Sequence, residues 1–217
     1  MKRRLSIVCI LALTLLVGCG KKDQQPSSDG NSKVSAKNIL ITYFTFPETD
    51  GSDTSSSASR IVLDNKVIGS TEYMAQMIQE NTSGELFKIE TVQEYPGTHE
   101  PLVEQASKEK EESARPVLKQ EVKDFADYDT IFIGYPNWWG DMPMPLYSFL
   151  ETYDFSGKTI IPFNSHGGSG LSNTIDTIKK LEPSATVIEN ALTLPRNDVN
   201  ESKDEIIKWL NNLGLKK

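Results

Sequence analysis

Residues 128–140 read Tyr-Asp-Thr-Ile-Phe-Ile-Gly-Tyr-Pro-Asn-Trp-Trp-Gly. Their near-continuous apolar run begins at 131 and stops at Pro136, which is typical of a strand buried on both faces of a parallel sheet. Two adjacent tryptophans, Trp138 and Trp139, follow in the loop. Ligands of open α/β sheets bind outside the carboxyl ends of the strands. Two indoles there indicate either a stacking wall for a flat aromatic ligand or simple packing on the core.

Similar patterns predict five strands that alternate with helices along the rest of the chain. Such alternation indicates a parallel sheet with right-handed crossovers, so we expect an α/β fold with a doubly wound five-stranded parallel sheet in a three-layer sandwich. Pro162 predicts a local irregularity in the fourth strand. The predicted strands cover 38–43, 84–91, 131–135, 158–164 and 185–194, and the predicted helices 71–82, 101–115, 144–153, 171–181 and 200–213.

The N-terminus has the pattern of a bacterial lipoprotein signal. Residues 2–4 are basic, and residues 5–17 form an apolar segment that is too short to span a bilayer. Residues 16–19, Leu-Val-Gly-Cys, resemble the lipobox, in which the chain is cut before the cysteine and the cysteine carries lipid. An ordinary secretory signal with an incidental cysteine is the alternative. We expect Cys19 to hold the protein at the extracytoplasmic face of a bacterial cell membrane.

The chain therefore divides into a signal peptide (1–18), a flexible tether that begins with lipidated Cys19 (19–36) and a single domain (37–217). Removal of the signal deletes Cys9 and leaves Cys19 as the sole cysteine. The domain consequently has no disulfide, no thiol nucleophile and no cysteine metal site, and we predict no metal.

The chain is acidic, with 23 Lys and Arg against 30 Asp and Glu and a formal net charge of −7 at pH 7. The loss of three basic residues with the signal makes the mature chain more acidic still. This balance argues against nucleic acid as a partner and against a polybasic membrane contact. We expect membrane attachment through the lipid anchor only.

Three loops should meet at the carboxyl edge of the predicted sheet. The first runs from Thr45 to 69–71, Gly-Ser-Thr, where hydroxyls and free N–H groups at a helix N-terminus would form an anion cradle. The alternative is that Ser70 is a plain N-cap. The second loop is 136–142. The third, 165–170, is Ser-His-Gly-Gly-Ser-Gly, either a close backbone approach to a ligand or a flexible crossover turn.

Together these segments resemble the flavodoxin-like family, in the variant found in secreted or lipid-anchored bacterial proteins. The resemblance covers nearly all of 37–217. It rests on Ile-Leu-Ile-Thr-Tyr-Phe-Thr, on Gly-Ser-Thr-Glu-Tyr-Met-Ala, on the 128–140 motif continued by Asp-Met-Pro, and on Asp-Phe-Ser-Gly-Lys-Thr-Ile-Ile-Pro-Phe-Asn-Ser-His-Gly-Gly-Ser-Gly. It implies the strand order 2-1-3-4-5.

The resemblance also implies FMN as cofactor and no catalytic residue in the chain itself. Oriented N–H groups can bind the phosphate without Lys or Arg in the phosphate loop. One departure is that 46–68, 23 residues, split that loop; another is serine at 70, where asparagine is more usual. The implied FMN neighbours are Thr45, Gly69, Ser70 and Thr71 at the phosphate with Phe46 beside them, Pro136, Asn137, Trp138, Trp139 and Gly140 along the isoalloxazine, and Ser165, His166, Gly167 and Gly168 on its pyrimidine side.

These features favour an FMN-binding electron-transfer protein whose redox partner is a protein or a quinone. An FMN-dependent NAD(P)H:quinone-type oxidoreductase is an alternative with the same chemistry. A cofactor-free lipoprotein binding module on the same fold is a third. Ser169 and His166 raise the possibility of a hydrolase, but the chain has no Gly-x-Ser-x-Gly elbow.

Overall fold

The computed structural model of the chain describes residues 33–34, 36–48 and 60–217. The predictions on the signal peptide, on Cys19 and on most of the tether lie outside the described residues. The elements are β1 (Ile39–Tyr43), β2 (Arg60–Leu63), β3 (Lys66–Gly69), α1 (Ser70–Thr82), β4 (Glu85–Lys88), α2 (His99–Glu111), β5 (Thr130–Pro136), α3 (Met144–Thr152), β6 (Thr159–His166), α4 (Thr174–Leu181), β7 (Thr186–Val187), β8 (Leu192–Pro195) and α5 (Lys203–Leu213).

The central sheet has the order β4-β1-β5-β6-β7. β8 also pairs with β6, with residues that follow the two paired with β7. All of these pairs are parallel. Counted as five strands along the chain, the order is 2-1-3-4-5, so the predicted doubly wound parallel sheet is confirmed.

Helices cover both faces of this sheet, because its strands carry apolar side chains on both sides. Ile131 and Ile133 of β5 pack in the core under α2, α3 and α4. Phe132, between them, packs in the other core, under α1 and α5. All seven residues of β5 are buried, which explains why its sequence shows a continuous apolar run rather than alternation. The three-layer sandwich follows from this two-sided burial.

The predicted fifth strand, 185–194, is wrong as a single strand, because it is broken into β7 and β8. Both halves pair with β6, but the register leaves 161 and 162 of β6 without a partner on that side. The carbonyl of Ile160 accepts a hydrogen bond from Ile188 N–H. Every second residue of β6 from Ile160 onward therefore directs its backbone N–H and C=O toward β7 and β8. Pro162 lies two residues on and has no N–H to offer. The break therefore falls where the ladder cannot continue.

The segment that splits the predicted phosphate loop contains a hairpin that was not predicted from the sequence. β2 and β3 are antiparallel and joined by Asp64 and Asn65, both with positive φ, 48° and 63°. This is the backbone of a type I′ turn. An Asp-Asn pair between two short apolar runs is the signal that could have predicted it. The inner face of the hairpin, Ile61 and Ile68, packs against the α1 and α5 core.

Candidate functional site

The three predicted loops meet at one edge of the sheet, because β1, β5 and β6 are adjacent and parallel. At the end of β1, Phe44 N–H donates to Gly134 O of β5 at 2.9 Å. At the end of β5, Asn137 N–H donates to Ser165 O of β6 at 2.8 Å. The loops that carry the predicted site residues therefore lie together at the carboxyl ends of the strands.

The two ends of the split phosphate loop come back together. A Cβ atom placed on Gly69 would lie 1.9 Å from Thr45 Oγ1 and 2.8 Å from Thr45 Cβ, so only glycine permits this contact. The chain thus leaves this loop after Thr45 and returns to it at Gly69. Thr45 and Gly69 stand side by side at the N-terminus of α1, as the phosphate-loop prediction requires.

Two hydroxyls are buried at this N-terminus. Ser70 and Thr71 are both 0% exposed, and neither Ser70 Oγ nor Thr71 Oγ1 has a partner among the described residues. Gly69 is the N-cap, so the alternative that Ser70 caps the helix is wrong. An unsatisfied buried hydroxyl costs about 1–3 kcal/mol. An anion with several acceptor oxygens would satisfy both hydroxyls and would be favoured by the helix dipole.

The second loop begins with a tight turn at residues 138–141. Trp138 and Asp141 exchange two backbone hydrogen bonds, each 3.0 Å, around Trp139 and Gly140. These central residues have φ of +54° and +73°, as in a type I′ turn. Positive φ is a strained state for an aromatic residue, and such strain costs about 1–3 kcal/mol. The ammonium group of Lys110 in α2 donates a hydrogen bond to the carbonyl oxygen of Trp139 and helps to hold this conformation.

The two indoles lie in different environments. Trp138 is 5% exposed and packs edge-on against Phe44 and Tyr95, with ring centroids 5.4 and 5.9 Å away. Trp139 is 50% exposed and donates its Nε1–H to Val103 O of α2 at 3.3 Å. Of the two alternatives that the sequence left open, packing on the core therefore describes Trp138. Trp138 belongs to the core, and the exposed ring is that of Trp139.

Asp141 follows this turn and is held by its neighbours. Its carboxylate accepts from the Tyr147 hydroxyl, 3.0 Å from each oxygen, and from Met142 N–H at 2.8 Å. Burial, and then the Asp141 charge, raise the pKa of Tyr147 to about 12. Tyr147 therefore stays a hydrogen-bond donor, and the negative charge is kept next to the loop.

The third loop contains a histidine with a defined hydrogen bond. His166 ends β6, is 9% exposed and accepts from Gly168 N–H through Nδ1 at 3.0 Å. Burial lowers the pKa of His166 below its usual 6.5, against the opposing effect of the Asp198 charge. The ring is therefore neutral at pH 7, with Nδ1 as acceptor and the proton on Nε2. A neutral donor at Nε2 suits a neutral acceptor on a ligand.

Two asparagines connect the second and third loops. The amides of Asn137 and Asn164 both donate to Gly170 O, at 2.8 and 3.0 Å, and both Oδ1 atoms are buried without a partner among the described residues. Asn137 was expected at the site. Asn164 was missed, although a polar residue inside an otherwise apolar strand is a signal that could have found it. Each orphaned acceptor is suited to an N–H donor of a ligand.

The chain matches the family model described as Flavodoxin over residues 61–213, most of its length. The chain belongs to the flavodoxin family. Solved structures agree on the fold. A candidate flavoprotein from Bacteroides eggerthii is 24% identical with a TM-score of 0.60, and the match covers 84% of this chain and all of that one. One from Bacteroides uniformis is 24% identical, with a TM-score of 0.60 and coverage of 82% and 99%.

A flavoprotein from Lactobacillus acidophilus, solved in complex with FMN, is 20% identical with a TM-score of 0.55. The match covers 80% of this chain and 99% of that one. A comparison with curated proteins gave no match. Membership of the flavodoxin family supports FMN as the cofactor, and these solved structures, all below 25% identity, show the fold.

The residues of this flavodoxin-family site fit such a cofactor. Among the residues that the structure describes, the cradle at α1 has two donors without a partner that could bind phosphate oxygens, and the edge of β5 and β6 has two acceptors without a partner. Within the described ranges, no cluster of His, Cys, Asp and Glu could hold a metal ion. In the same ranges, no helix has the length and apolarity needed to cross a membrane.

The stability of this flavodoxin-family protein should decrease below about pH 6.5 through His166. Its pKa in the folded chain is lowered, so the unfolded chain binds more protons as the pH falls through 6.5, and the free energy of unfolding drops there. Above that pH, His166 has no effect on the free energy of unfolding. NMR titration of the two histidines, assigned with His99→Gln, should show His166 titrating below 6.5. A pKa at or above that value would contradict the prediction.

Proposed function

We propose that this flavodoxin-family protein binds FMN at the carboxyl edge of its sheet and transfers electrons at the outer face of a bacterial membrane. The observation that carries the proposal is the pair of buried hydroxyls of Ser70 and Thr71 at the N-terminus of α1, which no described residue satisfies. The natural partner for such donors is a phosphate group, because it accepts several hydrogen bonds at once.

The chain's own residues divide the work of binding. Ser70 and Thr71 donate to the phosphate, together with the free N–H groups of the first turn of α1. Asn137 and Asn164 offer carbonyl oxygens to ring N–H groups, and neutral His166 offers its Nε2–H. Trp139 presents an exposed indole that can cover a flat ring. Bound FMN would supply one- and two-electron redox chemistry, while the protein fixes its position and surroundings.

The charge around the site influences the direction of that chemistry. Asp141 is held beside the second loop by Tyr147 and Met142 N–H. A fixed negative charge there disfavours added negative charge on a nearby ring, so we expect a low reduction potential. The acidic surface of the whole chain favours a redox partner with a basic docking face, and a quinone in the membrane is the other acceptor compatible with a lipid anchor.

The test is flavin binding to the purified protein. We expect it to be yellow as isolated or to take up FMN in a calorimetric titration, with the fluorescence of the flavin quenched on binding. Well-folded protein that binds no FMN would overturn the proposal and would favour a cofactor-free binding module. Rapid oxidation of NAD(P)H by the FMN-loaded protein, with a quinone as the only acceptor, would instead assign it as an oxidoreductase.

The lipid anchor is a separate prediction, on residues outside the described ranges. The mature protein should begin at Cys19 and partition with membranes, with its domain accessible to protease added outside the cell. Cys19→Ala should block processing or release the domain, since the thiol is the atom that carries the lipid. Mass spectrometry of the N-terminus and fractionation of both variants measure this. An unprocessed, cytoplasmic main species would refute it.

A further inference from the structure

Arg60 opens the hairpin and stands directly opposite Gly69 in the β2–β3 register. Side chains of directly opposed residues in an antiparallel pair leave on the same face. The position of Gly69 identifies this face, because a Cβ atom on Gly69 would point at Thr45 and lie 1.9 Å from its Oγ1. The side chain of Arg60 therefore leaves the hairpin on the face of Thr45, at the end nearest the cradle.

The other pairs of the hairpin support this orientation. Ile61 and Ile68 lie on the opposite face and pack in the α1 and α5 core. Val62 and Val67, on the same face as Arg60, are 55% and 44% exposed. The outer face is thus exposed near the turn, and at the other end Gly69, the partner of Arg60, lies against Thr45 of the phosphate loop.

The environment of Arg60 is unusual for a cation. Arg60 is half-buried, and its Nε is shielded from solvent with no hydrogen-bond partner among the described residues. A desolvated guanidinium N–H without an acceptor is destabilising, since charged groups lose strong hydration on burial. Three shielded donors, Arg60 Nε, Ser70 Oγ and Thr71 Oγ1, therefore lack acceptors in this one region of the chain.

We propose that Arg60 binds the FMN phosphate together with Ser70 and Thr71; this inference rests on the proposed FMN binding. A guanidinium suits phosphate because its planar N–H groups can donate to two oxygens at once. The positive charge of Arg60 would also offset the repulsion between the phosphate and nearby negative charges. Glu72 lies in the first turn of α1, and the whole chain is acidic, so a dianionic phosphate would otherwise meet like charge.

The hairpin thereby has a role in binding. The phosphate loop predicted from the sequence contains neither Lys nor Arg at the turn itself, and residues 46–68 split it. In the structure this segment returns through Arg60, which adds the missing positive charge from a neighbouring strand.

The experiment compares FMN with riboflavin, which lacks the phosphate, by calorimetry on the full-length protein and on Arg60→Gln. We expect Arg60→Gln to bind FMN about 10- to 100-fold more weakly, as for the loss of one or two hydrogen bonds to a charged group, and to bind riboflavin as the parent does. Lys66→Gln is the matched control. It removes the same charge from the exposed far end of the same hairpin and should leave FMN affinity unchanged.

The protonation state of the bound phosphate is a second readout. The second pKa of a phosphate monoester is about 6, and a nearby guanidinium favours the dianion. The phosphorus NMR resonance of bound FMN should therefore titrate at a higher pH in Arg60→Gln than in the parent. Arg60→Lys should fall between the two, because it keeps the charge but loses the fork of donors.

The outcomes separate this inference from the function on which it rests. If the parent protein binds no FMN, the proposed function itself fails. If the parent binds FMN and Arg60→Gln binds it equally tightly, only the role of Arg60 is overturned. An equal loss for FMN and riboflavin would also overturn it, since Arg60 would then merely order the hairpin. Far-UV circular dichroism and unfolding curves of the flavin-free variants check that each one folds.

Discussion

Replacing Ser70 by Ala and Thr71 by Val is expected to weaken FMN binding by about two orders of magnitude or more, with riboflavin affinity almost unchanged. Each hydroxyl would donate to a charged phosphate, and such hydrogen bonds contribute about 1.5–3 kcal/mol. Both side chains are buried at the N-terminus of α1, so water cannot take their place easily. Parallel calorimetric titrations with the two flavins measure the difference.

The same double variant is expected to be as stable as the parent without flavin, or slightly more stable. In the unliganded protein both hydroxyls are desolvated and no described residue satisfies them, so their removal relieves a cost. Thr82→Val is the matched control in the same helix. Its hydroxyl is buried but donates to Ile78 O at 2.7 Å and accepts from Gly84 N–H at 3.3 Å, so its loss should cost about 1 kcal/mol.

A substitution that weakens FMN binding without lowering the free energy of unfolding identifies a side chain whose role is to bind the ligand. Denaturant unfolding of flavin-free Thr71→Val and Thr82→Val should show destabilisation for Thr82 alone. If FMN and riboflavin affinities fall equally in the double variant, the phosphate does not lie at α1. If Thr71→Val destabilises as much as Thr82→Val, the hydroxyl of Thr71 has a structural role.

The second large effect is expected for Gly134→Ala, in the centre of β5. A Cβ atom at this position would lie 2.2 Å from Phe163 Cζ, and Phe163 is the direct partner of Gly134 in the β5–β6 register. Both residues are fully buried between helices, so neither the ring nor the strand can move away freely. Overpacking of this kind should lower the free energy of unfolding by about 2–3 kcal/mol.

A double-mutant cycle with Phe163→Leu tests the stated cause. Leucine shortens the side chain and removes the ring atoms that the new methyl group meets. Gly134→Ala should therefore cost clearly less in the Phe163→Leu background than in the parent. An equal cost in both backgrounds would mean that the glycine is required for its backbone rather than for its small size.

The features that could be predicted from the sequence are those set by local patterns. The strand at residues 130–136 was found because burial on both faces leaves a continuous apolar run that ends at Pro136. The start of α1 was predicted to within one residue because Gly-Ser-Thr precedes an amphipathic helix, a pattern that lies within a single turn. The ends of the predicted elements outside the fifth strand differ from the observed ones by four residues at most.

What the local pattern did not show depends on contacts between distant segments. Residues 185–194 look like one strand, but their ladder is broken by Pro162, about 25 residues earlier in the chain. Trp138 and Trp139 look alike in the sequence. The positive φ of Trp139 turns the chain between them, so one ring packs on Phe44 and Tyr95 while the other is exposed. Neither outcome has a signal within a few residues.

The sequence by itself determined the class of fold, the order of the elements, the edge of the sheet where the loops meet and the family, because hydrophobic period and glycine placement act over short distances. Only the tertiary structure decided that the chain that leaves the loop after Thr45 returns to it at Gly69, that Asn164 joins the site and that Arg60 leaves on the face of the cradle. These depend on strand register, and register is set by side chains that are far apart in the chain.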